Sequence, residues 1–242
     1  RHATSKVKSA QDLEAIHTMG FRGEALASIS AVARVELLSR RRDAVEGIRY
    51  VIDASEQVAY EPIGCPVGTT IVVRDLFYNT PARLKFLKKD VSEANAVSGI
   101  VEKIALAHPE ISFCLIRDGQ QKLHTPGDGQ LLSAIYAVFG RNFASGLLPV
   151  EYQANGLSIK GYISKPHMAR SSRSMQNFYV NRRYVKSRTC TVSLEESYKH
   201  FIMTGKFPAC VLDLSIPPES VDVNVHPAKI EIRFENEKNI FD

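Results

Sequence analysis

Apolar positions along the first hundred residues alternate between helical and strand spacing. Ser9-Ala10-Gln11-Asp12 has the spacing of a capping box and opens a short predicted helix through Ile16, which Met19-Gly20 stops. Gly20-Phe21-Arg22-Gly23 then leads into Glu24-Ala25-Leu26, with Leu26, Ile29 and Val32 or Ala33 on one helical face. Strands are predicted at Val35–Ser39, at Ile48–Ile52 and, after the Pro66/Gly68 break, at Thr69–Leu76. Asp90 and Glu93 open a second helix whose Val97, Ile100, Val101 and Ile104 form one stripe before Pro109. Ile111–Arg117 and Lys122–Thr125 read as a hairpin around Asp118-Gly119.

Pro126-Gly127-Asp128-Gly129 is the strongest linker signal in the chain. Beyond it a helix carries Leu131, Leu132, Ile135, Val138 and Phe139. Two strands joined by an Asn155-Gly156 turn follow, then strands at Asn177–Val180, Ala209–Ile216 and Ile230–Phe234, with a helix near Ser193–Ile202. In the last strand Ile230, Ile232 and Phe234 alternate with Glu231, Arg233 and Glu235. The pattern predicts two α+β domains.

Composition narrows the classes. The chain has 242 residues, 44% hydrophobic and 24% charged, as expected of a chain that buries a core. No apolar run approaches a membrane span of about 20 residues. Cys65, Cys114, Cys190 and Cys210 lie far apart with no C-x-x-C, which argues against a zinc or redox motif and for a reduced intracellular chain.

The net charge of +5 is not evenly spread. From Tyr152 to Leu194 there is no Asp or Glu, while Lys160, Lys165, Arg170, Arg173, Arg182, Arg183, Lys186 and Arg188 supply eight cations. The other 23 Lys and Arg face 26 Asp and Glu, leaving the remainder at −3. A local anionic partner explains this better than a generally cationic protein, and a solvated basic face is the competing reading.

Three segments could carry chemistry. Gly20-x-x-Gly23 before a helix suits a phosphate, because the helix N-terminus leaves N–H groups unpaired and carries partial positive charge. By itself such a segment is most often a turn and a cap. Asp75 to Leu87 reads as a strand end, a turn at Asn79-Thr80-Pro81 and a basic helical segment, with Leu76, Phe77, Phe86 and Leu87 expected to fill core. Val221 to Lys229 delivers His226-Pro227 and Lys229 to a turn.

Together, RHATSK, GFRGEALASIS, GTTIVVRDLFYNTPARLKFL, NFYVNRRYV and VDVNVHPAKIEIRF closely resemble the N-terminal ATPase region of MutL DNA mismatch repair proteins, from Arg1 to about Phe234. The resemblance implies the C-terminal part of a GHKL (Bergerat) ATPase α/β sandwich over residues 1–127. A ribosomal-S5-domain-2-like transducer domain follows over 128–242, with the join at 126–129. It implies that Thr4, Ser5 and Lys6 lie in a lid over ATP, that Gly20, Arg22, Gly23 and the N–H groups of Glu24, Ala25 and Leu26 hold phosphates, and that Thr69 lines the adenine side. Lys229 resembles the transducer lysine that stabilises charge at the γ-phosphate.

Asn181-Arg182-Arg183 falls where the family carries Asn-Gly-Arg, so Arg183 matches the DNA-linked arginine and Arg182 replaces the glycine. Arg182, Arg170, Arg173, Lys186 and Arg188 are the further expected DNA contacts, made to the backbone without sequence specificity. The family's water-activating Glu, the Mg²⁺-binding Asn of E-x-x-x-N and the adenine-reading D-x-G-x-G have no counterpart in the 242 residues. The expectation is that this polypeptide alone neither hydrolyses ATP nor completes its first domain, and that the Mg²⁺ ligand belongs upstream of Arg1. Steady phosphate release well above buffer would overturn it.

The resemblance also implies a mismatch-recognition protein, a downstream nuclease or helicase and ATP-dependent dimerisation as partners, with no membrane. It places the protein with the nucleoid in a bacterium or in a nucleus. A type II topoisomerase ATPase region shares both folds, but GFRGEAL and VNVHPAK argue against it. A non-enzymatic nucleic-acid-binding module, resting on the basic stretch, is the other alternative.

Overall fold

The computed structural model describes residues 23–154, 156–222 and 230–241. It is an α+β protein that divides into two compact units, the first running to Asp90 and the second starting at Val91. The join expected at residues 126–129 lies within the second unit. The expected helix at Ser9–Ile16 lies outside the described residues.

In the first unit, α1 (Ala25–Ser30) leads into β1 (Arg34–Arg40), followed by β2 (Gly47–Asp53), β3 (Glu56–Ile63) and β4 (Gly68–Arg74). These form an antiparallel sheet in the order β3-β2-β1-β4. Its register puts Val35 opposite Val73 and Leu37 opposite Ile71, with Tyr50 opposite Tyr60 on β3. One face is therefore apolar, and much of it is open: Ile71 is 45% and Val73 43% exposed. The other face carries an ion-pair ladder in which Arg49 bridges Glu36 and Glu61, both at 2.7 Å, and Arg74 reaches Glu36 at 3.2 Å.

Strand β3 escapes the sequence pattern because its turn has no Gly or Asn. Ala54 and Ser55 adopt φ of 47° and 73°, a two-residue hairpin turn made by residues that disfavour it. Strand β4 ends at Arg74 rather than Leu76, since Asp75 and Phe77 also turn to positive φ (54° and 66°). The short helix α2 (Pro81–Leu84) has Pro81 in its first turn, where a missing N–H costs nothing. Its neighbours do not fill core as expected. Leu76, Leu87 and Phe86 are 43%, 40% and 86% exposed.

The second unit opens with α3 (Asp90–Ala107) and the hairpin β5 (Cys114–Arg117) and β6 (Gln120–His124), whose turn residues Asp118 and Gly119 have φ of 52° and 72°. Then come α4 (Leu131–Phe139), α5 (Arg141–Ala144), β7 (Leu147–Ala154), β8 (Leu157–Ser164), β9 (Gln176–Val180) and β10 (Arg183–Val185). Helix α6 (Arg188–Ser197) and β11 (Cys210–Ser215) complete a five-stranded sheet and its cover, in the order β10-β9-β11-β8-β7. Strands β9 and β11 run parallel, which the intervening helix α6 permits.

The sheet buries both faces. Cys210, Leu212 and Leu214 of β11 point to one core with Phe178, Val180, Val185, Leu194 and Tyr198. Val211 points to the other, with Tyr179, Ile135, Phe143 and the end of α3 at Leu106 and Ala107. The period of two along one strand thus feeds two cores.

The helix expected at Ser193–Ile202 starts five residues earlier, because Ser187 caps it by accepting a hydrogen bond from the Cys190 N–H at 3.2 Å. Strand β13 covers only Arg233–Phe234, paired with β12 (Val221–Asp222), rather than Ile230–Phe234. The predicted alternation survives in burial, with Phe234 buried and Arg233 exposed.

Candidate functional site

The segment expected to hold phosphates is described from Gly23 onward; Thr4, Ser5, Lys6, Gly20, Arg22 and Lys229 lie outside the described residues. Gly23 is exposed with φ of 63°, a conformation that suits glycine. Glu24 is the N-cap of α1, and no side chain caps the helix there. Ala25 and Leu26 are exposed in the first turn. Among the described residues, no side chain takes the first-turn N–H groups that an anion would use. Thr69 lies on β4 opposite Ser39, and their hydroxyls are 2.9 Å apart on the open apolar sheet face. The conspicuous Asn79 acts locally. Its Nδ2 donates to the Ala31 carbonyl at 2.9 Å, tying the β4 exit to the residue after α1.

The cationic stretch belongs to the second unit, and the structure sorts its members. Asn181 and Arg182 form the two-residue turn between β9 and β10, with φ of 49° and 65°. Asn181 acts structurally. Its N–H donates to the Leu214 carbonyl, its Nδ2 donates to the Ile216 carbonyl, and its Oδ1 accepts from the Ile216 N–H, all at 2.9 Å. The side chain thereby extends the β9–β11 pairing by a residue. Arg183 opens β10 half-buried, and desolvation pulls its pKa down from the usual arginine value.

Three cations in the stretch are paired internally. Arg173 forks onto Glu195 through Nε at 2.6 Å and a terminal nitrogen at 2.9 Å, and lies 4.1 Å from the Phe207 ring centre. Lys160 pairs with Glu151 at 2.8 Å. Arg182 reaches Glu110 at 2.8 and 3.3 Å. Arg170 is exposed, with its guanidinium 5.8 Å from the Phe143 ring centre. Lys186 and Arg188 are exposed and, among the described residues, have no acidic partner.

Lys186 and Arg188 line an open groove of about 790 Å³ with Lys103, Tyr184, Ser187 and Thr191. Lys103 comes from α3, its ammonium 4.3 Å from the Tyr184 ring centre. Sequence reading missed it because α3 shows only an apolar stripe, and nothing in a single helix says which strand it will face. The wall of the groove is fixed by the Arg173–Glu195 fork.

The Glu195 carboxyl is held below the usual carboxylate range chiefly by the hydrogen bond from Arg173, against partial burial that pushes it up. A depressed carboxyl stabilises the fold above its unfolded pKa and loses that contribution as pH falls through its folded pKa. The stability gap between wild type and Glu195→Gln is therefore expected to be full above about pH 4.3 and to shrink below it. Urea midpoints across that range measure it; a gap unchanged down to about pH 3 would remove the ion pair from the account.

Similarity to known proteins points one way. Residues 135–242 match the family model described as "DNA mismatch repair protein, C-terminal domain". The DNA mismatch repair protein MutL of Agathobacter rectalis is 48% identical over 241 residues, which is 100% of this chain and 37% of that protein. The chain thus spans less than two fifths of that relative. Among solved structures, one described as the N-terminal domain of a DNA repair protein superposes with a TM-score of 0.77 and 28% identity, covering 93% of this chain and 74% of that one. The Aquifex aeolicus MutL ATPase domain complexed with ADP gives 0.65 and 27% identity, covering 87% and 76%. No helix among the described residues is long and apolar enough to cross a membrane.

Proposed function

Because the chain belongs to the MutL family of DNA mismatch repair proteins, we propose that it is the nucleotide- and DNA-handling part of an ATP-dependent repair protein that couples mismatch recognition to later repair. The observation that carries this reading is a cation-lined groove beside the Asn181-Arg182-Arg183 turn, in a chain that aligns along its whole length with MutL.

The family's first domain corresponds to residues 1–127 and its transducer to 128–242. The uncapped start of α1 fits a phosphate: the N–H groups of Glu24, Ala25 and Leu26 donate to phosphate oxygens, with Gly20, Arg22 and Gly23 giving close approach and charge. Thr69 stands on the adenine side, while Thr4, Ser5 and Lys6 close over the nucleotide. ATP, when bound, supplies the phosphoryl group whose transfer to water drives closure and dimerisation. Lys229 stabilises the charge that develops. Among the described residues no cluster of three or more His, Cys, Asp or Glu side chains could hold a metal ion.

The transducer's part is DNA. Lys186 and Arg188 neutralise backbone phosphates, and Arg183 and Arg170 add to them. Proteins that recognise mismatches and cut or unwind the strand are the partners this role calls for, in the compartment that holds the chromosome. Fluorescence anisotropy with a labelled duplex tests the reading. Salt-steep binding that is indifferent to base order is expected; binding that is flat in salt or confined to one sequence would reject it.

A further inference from the structure

The Arg182 guanidinium is already occupied. Its two terminal nitrogens reach the two oxygens of Glu110 at 2.8 and 3.3 Å, the forked geometry an arginine would present to a phosphate. Both partners are held from behind. The Arg182 N–H donates to Asp213 Oδ1 at 3.1 Å, and the Glu110 carboxylate also lies 3.2 Å from His108 Nδ1. Partial burial pushes the Glu110 carboxyl up, but its backbone hydrogen bond, His108 and Arg182 outweigh that and hold it below the usual range. A phosphate would have to displace the Glu110 carboxylate to take the same forked contact on Arg182, with the Asp213 carboxyl at the backbone of the same residue.

The turn explains why the contact exists here. Position 182 has φ of 65°, where glycine is at ease and arginine is strained. Glycine at this point could bind nothing through a side chain. Arginine accepts the strain and gains a fork on the segment that follows α3, 72 residues away in sequence.

We propose that Glu110 masks Arg182: the carboxylate occupies the guanidinium that the basic stretch otherwise offers to DNA, so Arg182 contributes nothing to phosphate binding until Glu110 is removed. The proposal rests on the DNA reading above and sharpens it, separating Arg182 from Lys186 and Arg188.

The test is the slope of log affinity against log salt for a labelled duplex, measured on wild type, Arg182→Asn, Glu110→Gln and the double variant. Asparagine tolerates positive φ, so the turn is kept. Arg182→Asn is expected to leave the slope unchanged. Glu110→Gln is expected to steepen it by about 0.9, the value of one released phosphate contact. The double variant is expected to return to the wild-type slope.

A loss of about 0.9 in Arg182→Asn alone would overturn the proposal, since Arg182 would then be a phosphate ligand already. So would a Glu110→Gln gain that persists in the double variant, because the gain would come from the lost carboxylate rather than a freed arginine. If wild type shows no salt-dependent binding at all, the DNA reading fails. The mask is then judged by the solvent exchange of the Arg182 guanidinium protons in NMR. Slow exchange in wild type and fast exchange in Glu110→Gln supports the occupied fork; equal rates reject it.

Discussion

Alanine at position 161 is expected to unfold the second unit or to leave it barely stable. Gly161 lies in the middle of β8, opposite Val150 on β7 and Leu212 on β11, with φ of 146°. A Cβ there would overlap the Val211 carbonyl oxygen and lie 3.0 Å from the Leu212 Cα. Both obstacles are backbone, so no rotamer change relieves them. Strand β11 would have to move away, and β11 feeds both cores of the unit.

The expected cost is above about 4 kcal/mol, the range reserved for a core that cannot relax. That is a large share of the roughly 5–15 kcal/mol by which a domain is stable. Thermal melts followed by circular dichroism should show a fall of more than about 10 °C, or no cooperative transition. Gly205→Ala is the control. It also has positive φ (79°) but open space around the new methyl, so only about 1 kcal/mol of backbone strain is expected. A Gly161→Ala protein melting within a degree or two of wild type would show that the sheet yields where its geometry says it cannot.

The second large effect is on DNA affinity. With Lys186, Arg188, Arg183 and Arg170 on about four phosphates, duplex binding should weaken on the order of a hundredfold between about 50 and 200 mM salt. Lys186→Ala with Arg188→Ala should make the salt dependence shallower by about 1.8, two contacts at about 0.9 each. Arg173→Ala should change the slope far less, because its guanidinium is forked onto Glu195 and stacked by Phe207. Changing the base order of the duplex should alter affinity little, since phosphate contacts carry no sequence information. An Arg173→Ala effect equal to that of the Lys186/Arg188 pair would mean the internal ion pairs open on DNA, and that the sorting of cations drawn from the structure is not the one that operates.

Much of the architecture is legible in the chain. The Asp118-Gly119 hairpin, helix α3, the pairing of β7 with β8, and β11 all form where spacing and turn chemistry put them, although Val97 and Ile100 of the α3 stripe stay exposed. What went unread has local causes. The Ala54-Ser55 turn hides β3, because neither residue signals the positive φ it adopts. The start of α6 depends on Ser187, one hydroxyl in a run of Ser and Thr that could each have served as the cap. Phe86 and Leu87, hydrophobic and therefore expected inside, lie beyond the single turn of α2 and are exposed.

For the candidate sites, sequence alone determined the residue types and their order: glycines before a helix, an Asn-x-Arg turn, and cations gathered in one acid-free stretch. Those follow from local chemistry, since residue type, motif spacing and charge density are written within a few residues. Which of those cations remain open was decided only by the tertiary structure. Glu110 comes to Arg182 from 72 residues away, Glu195 comes to Arg173 from 22 away, and Lys103 joins the groove from another helix. Ion pairing falls off within a few ångströms, and only the folded chain fixes such distances between residues far apart in sequence.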